Sequence, residues 1–111
     1  MNQNVRHLDD GVAVLSLGGK LNMVSAPAVR ESIAGLVAGG SSRVVVNLEG
    51  VEFLDSSGLG ALISGLKSTR QAGGDLRIAA PGEQVRLVLR LTNMERVLVP
   101  FETAEEAFAR A

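Results

Sequence analysis

With 111 residues, 46% of them apolar, the chain can bury one hydrophobic core but not two, and it reads as a single domain over residues 1–111. Eleven basic against twelve acidic residues, a formal charge of -1 and no block of either sign give no electrostatic footprint for nucleic acid, and three Phe without Tyr or Trp give no platform for stacked bases. The lack of Cys excludes disulfides and thiolate metal sites, and a single His excludes a multi-histidine site within one chain.

The opening residues, Met1 to His7, lack the apolar core of a signal peptide. No apolar run approaches the length of a bilayer span, so a cytoplasmic protein without direct membrane insertion is expected. Asn4 to Leu8 and Val12 to Leu17 flank Asp9-Asp10-Gly11, an acidic turn ending in Gly, and together they predict an antiparallel hairpin. Gly18 to Val24 follows as a loop or short extended piece. Ser25 then caps a helix with Pro27 in its first turn, whose buried stripe is Ala26, Val29, Ile33, Leu36 and Val37. Gly39-Gly40 ends it.

Arg43 to Leu48 is a β-branched run with almost no polar alternation, the pattern of a strand buried on both faces. A buried strand places its exit loop firmly. After Val51 to Asp55, the residues Leu59, Leu62, Ile63 and Leu66 recur at helical spacing, with Ser64, Lys67, Ser68 and Arg70 on the other side. Either Asp55 or Ser56 is the cap of this helix, and Gly58 and Gly60 leave the hydroxyls of Ser56 and Ser57 uncrowded. The helix stops at Gly73-Gly74. Leu76 to Ala80 is the next strand, so residues 44 to 80 predict a right-handed parallel crossover. A third helix opens at Pro81-Gly82, runs through Val85, Val88, Leu89 and Leu91, and ends near Asn93. Val97 to Val99 reads as a brief last strand, and Thr103 with Glu106 as a capping box for a short terminal helix. Met94 and Phe101 are read as core. Met23 is either core or, if exposed near the serines, an adaptable partner contact.

The loop at Ser56 and Ser57 admits three uses. Capping alone is the bland one. A hydrolase elbow needs a Ser centred between glycines and a base beside it to take the proton; here both glycines follow the serines and His7 lies on the first strand, so no enzyme is expected. Gly58-x-Gly60 lacks the third glycine of a dinucleotide loop and Gly18-Gly19-Lys20 lacks the frame of a P-loop, which leaves no expected cofactor and no metal. The third use is a regulatory phosphoacceptor. Phosphate at a helix N-terminus meets free N–H groups and the positive end of the dipole, so it alters a docking surface without unfolding the domain.

Asp55-Ser56-Ser57-Gly58-Leu59-Gly60, with its lead-in from Glu49 to Leu54, resembles the signature of the STAS family, and within it the bacterial anti-sigma factor antagonists. The likeness extends to the opening hairpin, Gly19-Lys20-Leu21-Asn22, Gly73-Gly74-Asp75-Leu76 and Leu91-Thr92-Asn93-Met94. It implies a STAS fold: a small mixed sheet of four to five strands packed with about four helices. It also implies partner switching, in which the unphosphorylated antagonist binds an anti-sigma factor serine kinase and frees a sigma factor. The kinase then phosphorylates Ser56, and a PP2C-type serine phosphatase restores the binding form. By that likeness Asp55, Ser57, Gly58, Leu59 and Gly60 shape the phosphoacceptor loop, and Leu21, Asn22 and Met23 border the partner surface. The chain departs from the pattern at Asn22, where relatives usually carry Asp, and at Lys20, often acidic. A non-switching STAS subunit, in a sensory scaffold or a lipid ABC transporter, is the alternative.

Overall fold

A computed structural model describes residues 1–109. The elements in order are β1 (Asn2–His7), β2 (Ala13–Leu21), α1 (Ala26–Ala38), β3 (Arg43–Leu54), α2 (Ser56–Gln71), β4 (Asp75–Ala79), α3 (Glu83–Leu91), a 3-10 turn (Met94–Arg96), β5 (Pro100–Phe101) and α4 (Ala104–Ala107). The five strands form one sheet in the order β1-β2-β3-β4-β5, antiparallel between β1 and β2 and parallel elsewhere. The antiparallel hairpin and the parallel pairing of β3 with β4 follow the sequence pattern. Gly18 to Leu21, the first four residues of the segment read as loop or short extended piece, complete β2.

Alternation along the central strands divides the core. Leu15, Leu17, Val44, Val46 and Leu48 face the layer of α1, α2 and α3, where they meet Val29, Ile33, Leu62, Leu66, Val85 and Leu89. Val12, Val14 and Val45 face the opposite way, against Ala104 and Ala107 of α4 with Phe101 and Phe108 beside them. Both faces of β3 are therefore covered, as its unbroken valines require. Met94 packs partly buried against the larger cluster, and Phe101 against the smaller.

Three details correct the sequence reading. Leu91 is 76% exposed. It lies two residues past the buried Leu89, about 200° round the helix, and so faces out. The last strand is Pro100–Phe101 rather than Val97 to Val99. Asn93 takes a left-handed conformation and leads into the 3-10 turn, and the Met94 carbonyl accepts from the amides of both Val97 and Leu98. That keeps these β-prone residues coiled while Leu98 is buried in the core. Finally, Ser25 stands at the N-cap of α1 without a capping bond from its side chain; its hydroxyl is bonded instead within the preceding loop.

Candidate functional site

The site begins where β2 and β3 end side by side. β3 gains one residue on β2 between Ser16 and Gly18 and another between Gly19 and Lys20, and these irregularities keep the strands paired as far as Leu21 and Leu54. The chain then leaves both strands at one end of the sheet. The Asp55 amide donates to the Leu21 carbonyl at 3.2 Å. Gly58 packs so close that a side-chain carbon there would stand 2.2 Å from the Leu21 carbonyl oxygen.

Asp55 is the helix cap. One carboxylate oxygen accepts from the Gly58 amide at 2.8 Å, satisfying a free donor of the first turn. The other accepts from the Met23 amide at 3.2 Å, tying the β2–α1 loop to the start of α2. One side chain thus fixes both loops against each other. Asp55 does the capping, and Ser56 stands exposed on the first turn while Ser57 is half-buried.

The β2–α1 loop holds itself by its own polar groups. The Asn22 side-chain oxygen accepts from the Val24 and Ser25 amides at 3.0 and 3.3 Å, an Asx turn. The Ser25 hydroxyl donates to the Lys20 carbonyl at 2.7 Å and accepts from the Asn22 amide at 3.0 Å. An Asp at position 22 would offer the same acceptor, so Asn22 keeps the turn and removes only the charge. The loop tip then presents Met23 and Val24, 72% and 84% exposed, with Phe53 at 40% nearby in sequence to the capped end of β3. A shallow groove of about 380 Å³ runs along α2 from Ser56 past Leu59, Gly60, Ile63 and Ser64 to Lys67.

The residues expected to form the phosphoacceptor loop and those expected to border it are therefore brought together, with Leu21 buried beneath and Asn22 and Met23 at the rim. His7 is not among them. It pairs with Ala13, at the far end of β2 from Leu21, roughly 26 Å away at the rise of a strand. Among the described residues no cluster of His, Asp or Glu could hold a metal ion, and no helix is long and apolar enough to cross a membrane. Sequence reasoning did not find Gln84, whose side chain pairs with the backbone of Leu54. No local pattern marks it, because its partner is thirty residues away.

Fold and site together define a mixed-sheet α/β domain that presents a serine on a preformed helix N-terminus beside an apolar loop tip. The STAS domain model matches residues 5–107, and the chain belongs to the STAS family. RsfB of Mycobacterium tuberculosis, named an anti-sigma-F factor antagonist, is 32% identical over 100 residues, covering 88% of this chain and 80% of RsfB. An anti-sigma factor antagonist from Mycobacterium paratuberculosis superposes with a TM-score of 0.84 at 31% identity, over 96% of this chain and 89% of that one. SpoIIAA of Bacillus, with structures in unphosphorylated and phosphorylated forms, superposes at TM-scores of 0.81 and 0.73. Its identity is 22% and 21%, and the match covers 96% of this chain in each case and 92% and 96% of SpoIIAA, a likeness of fold alone.

Proposed function

We propose that this chain is an anti-sigma factor antagonist that works by switching partners and not by catalysis. Its unphosphorylated form binds an anti-sigma factor serine kinase in the cytoplasm and releases the sigma factor. Phosphorylation of Ser56 ends that binding, and a PP2C-type phosphatase renews it. The observation that carries this reading is the exposed Ser56 at the start of α2, where the preceding Asp55 does the capping and also holds the exposed β2–α1 loop tip through the Met23 amide. A phosphoryl group there adds about two negative charges beside the Asp55 carboxylate and the exposed apolar loop tip that it holds, so a docked partner would have to desolvate them. The domain itself has no reason to rearrange, since the charge sits at the positive end of α2. The names of RsfB and the Mycobacterium paratuberculosis protein support the role, and the two forms of SpoIIAA support a switch on this fold.

Asn22 favours the other reading, a non-switching subunit of a scaffold or transporter, because it removes a charge beside the acceptor while keeping the loop. Intact-mass and peptide-mapping measurements on the protein from its own cells, in growth and under stress, decide between them. The expected result is a phosphoryl group on Ser56 whose occupancy changes with conditions. An unmodified Ser56 throughout, alongside a positive control phosphosite from the same cells, overturns the switch. The Ser56→Asp variant should keep the wild-type thermal midpoint within a degree or so, as an acidic residue in the first turn of a helix is well tolerated.

A further inference from the structure

The ladder between β3 and β4 stops at Asn47 and Ala79, yet β3 runs on to Leu54. On one side Leu54 is paired with Leu21. On the other, where β4 no longer reaches, Gln84 of α3 takes the place of a strand. Its amide oxygen accepts from the Leu54 N–H at 2.8 Å, and its amide nitrogen donates to the Leu54 carbonyl at 3.0 Å. One planar side chain satisfies both backbone groups of a buried residue.

Resting on the reading of Ser56 as phosphoacceptor, we propose that Gln84 is the positioning residue of the acceptor loop, through which α3 sets where Ser56 is presented. Leu54 lies one peptide before Asp55, and Asp55 in turn fixes the Gly58 amide and the Met23 amide. The anchors on the other side, the Leu21 carbonyl and the Met23 amide, both belong to the β2–α1 segment. Gln84 is the hydrogen-bonding anchor from α3, so a displacement of that helix is passed directly to the backbone two residues before Ser56. The chemistry is specific to the amide. A carboxylate offers only acceptors, an ammonium only donors, and Asn is one methylene shorter. The outer side of α3 carries the exposed Leu87 and Leu91, which leaves the helix open to whatever meets it there.

The test is amide exchange and amide chemical shift on the full chain, labelled with nitrogen-15. In Gln84→Ala the Leu54 amide should exchange about tenfold faster, the amides of Val45 and Val46 at the centre of β3 should keep their protection, and the Ser56 and Ser57 signals should move. Gln84→Glu keeps an acceptor for the Leu54 N–H but sets a carboxylate against the Leu54 carbonyl. Its Ser56 and Ser57 signals should be displaced at neutral pH and return towards wild type as the introduced carboxyl gains a proton, a rescue that loss of bulk stability does not produce. In cells, both variants should lower Ser56 phosphoryl occupancy severalfold at neutral pH. Unmoved Ser56 and Ser57 signals in Gln84→Ala, or a Gln84→Glu variant indifferent to pH, overturn the positioning role. Failure of the phosphoacceptor reading looks different: the wild-type chain itself lacks the phosphoryl group, whatever the exchange data give.

Discussion

A methyl group built at Gly58 would stand 2.2 Å from the Leu21 carbonyl oxygen and 2.8 Å from the Leu21 Cγ, so position 58 has room for hydrogen alone. The nearer atom is backbone in a paired strand and cannot swing aside. Gly58→Ala should therefore cost about 3 kcal/mol or more in urea-induced unfolding, or separate the end of β2 from the start of α2. Gly60 differs, since a methyl there would meet only the tip of Arg30 at 3.3 Å, and a long exposed side chain can give way. The sequence treats the two glycines alike, as residues that leave a loop uncrowded. What separates them is the strand lying beneath Gly58, and that strand comes from thirty-seven residues earlier in the chain. The same reason hid Gln84, while Asp55 was legible as one of two candidate caps because its capping bond reaches only three residues ahead.

At the scale of elements, α1 and α2 are held against the sheet by one tight crossing. A methyl group at Gly65 of α2 would meet the Ile33 Cδ1 of α1 at 2.8 Å and the Leu76 Cδ1 of β4 at 2.9 Å. Both are ends of flexible side chains. Gly65→Ala should thus lose about 1 kcal/mol from overpacking, less whatever its better helix propensity returns. Ile33→Val removes the Cδ1 that the new methyl would strike. The double variant should be more stable than the sum of the two single changes requires, with a coupling of about 0.5–1 kcal/mol in a denaturant-melt cycle, and strict additivity would show that the helices separate instead of interlocking. The helices themselves were readable, because Leu62 and Leu66 keep helical spacing and Val29 and Ile33 do likewise. The last strand was not. Val97, Leu98 and Val99 have strand propensity, but burial of Leu98 and the left-handed turn at Asn93 overrode it, leaving the pairing to Pro100 and Phe101 on the sheet edge, where a missing N–H is tolerated.

Across the whole molecule, the first strand and the last helix meet although they are nearly a hundred residues apart. Arg6 of β1 pairs with Glu105 of α4 at 2.8 Å, over the face of the sheet that α4 covers. The topology was legible from the crossover and the hairpin, whereas this closure was not, since neither residue carries a pattern that names the other. The hydrogen bond from Arg6 holds the Glu105 carboxyl below its ordinary value, with its own backbone and the guanidinium charge adding to the effect. A depressed carboxyl contributes stability that is present above the unfolded-chain value and is lost as pH falls through the lower, folded one. The pair is solvent-exposed on both sides, so its contribution is small and salt-screened. Glu105→Gln should therefore lower the urea midpoint slightly at neutral pH and low salt. The difference from wild type should fade in acid as Glu105 protonates and fade equally in concentrated salt. A difference that persists under both conditions would mean that Glu105 acts through packing of α4 and not through its charge.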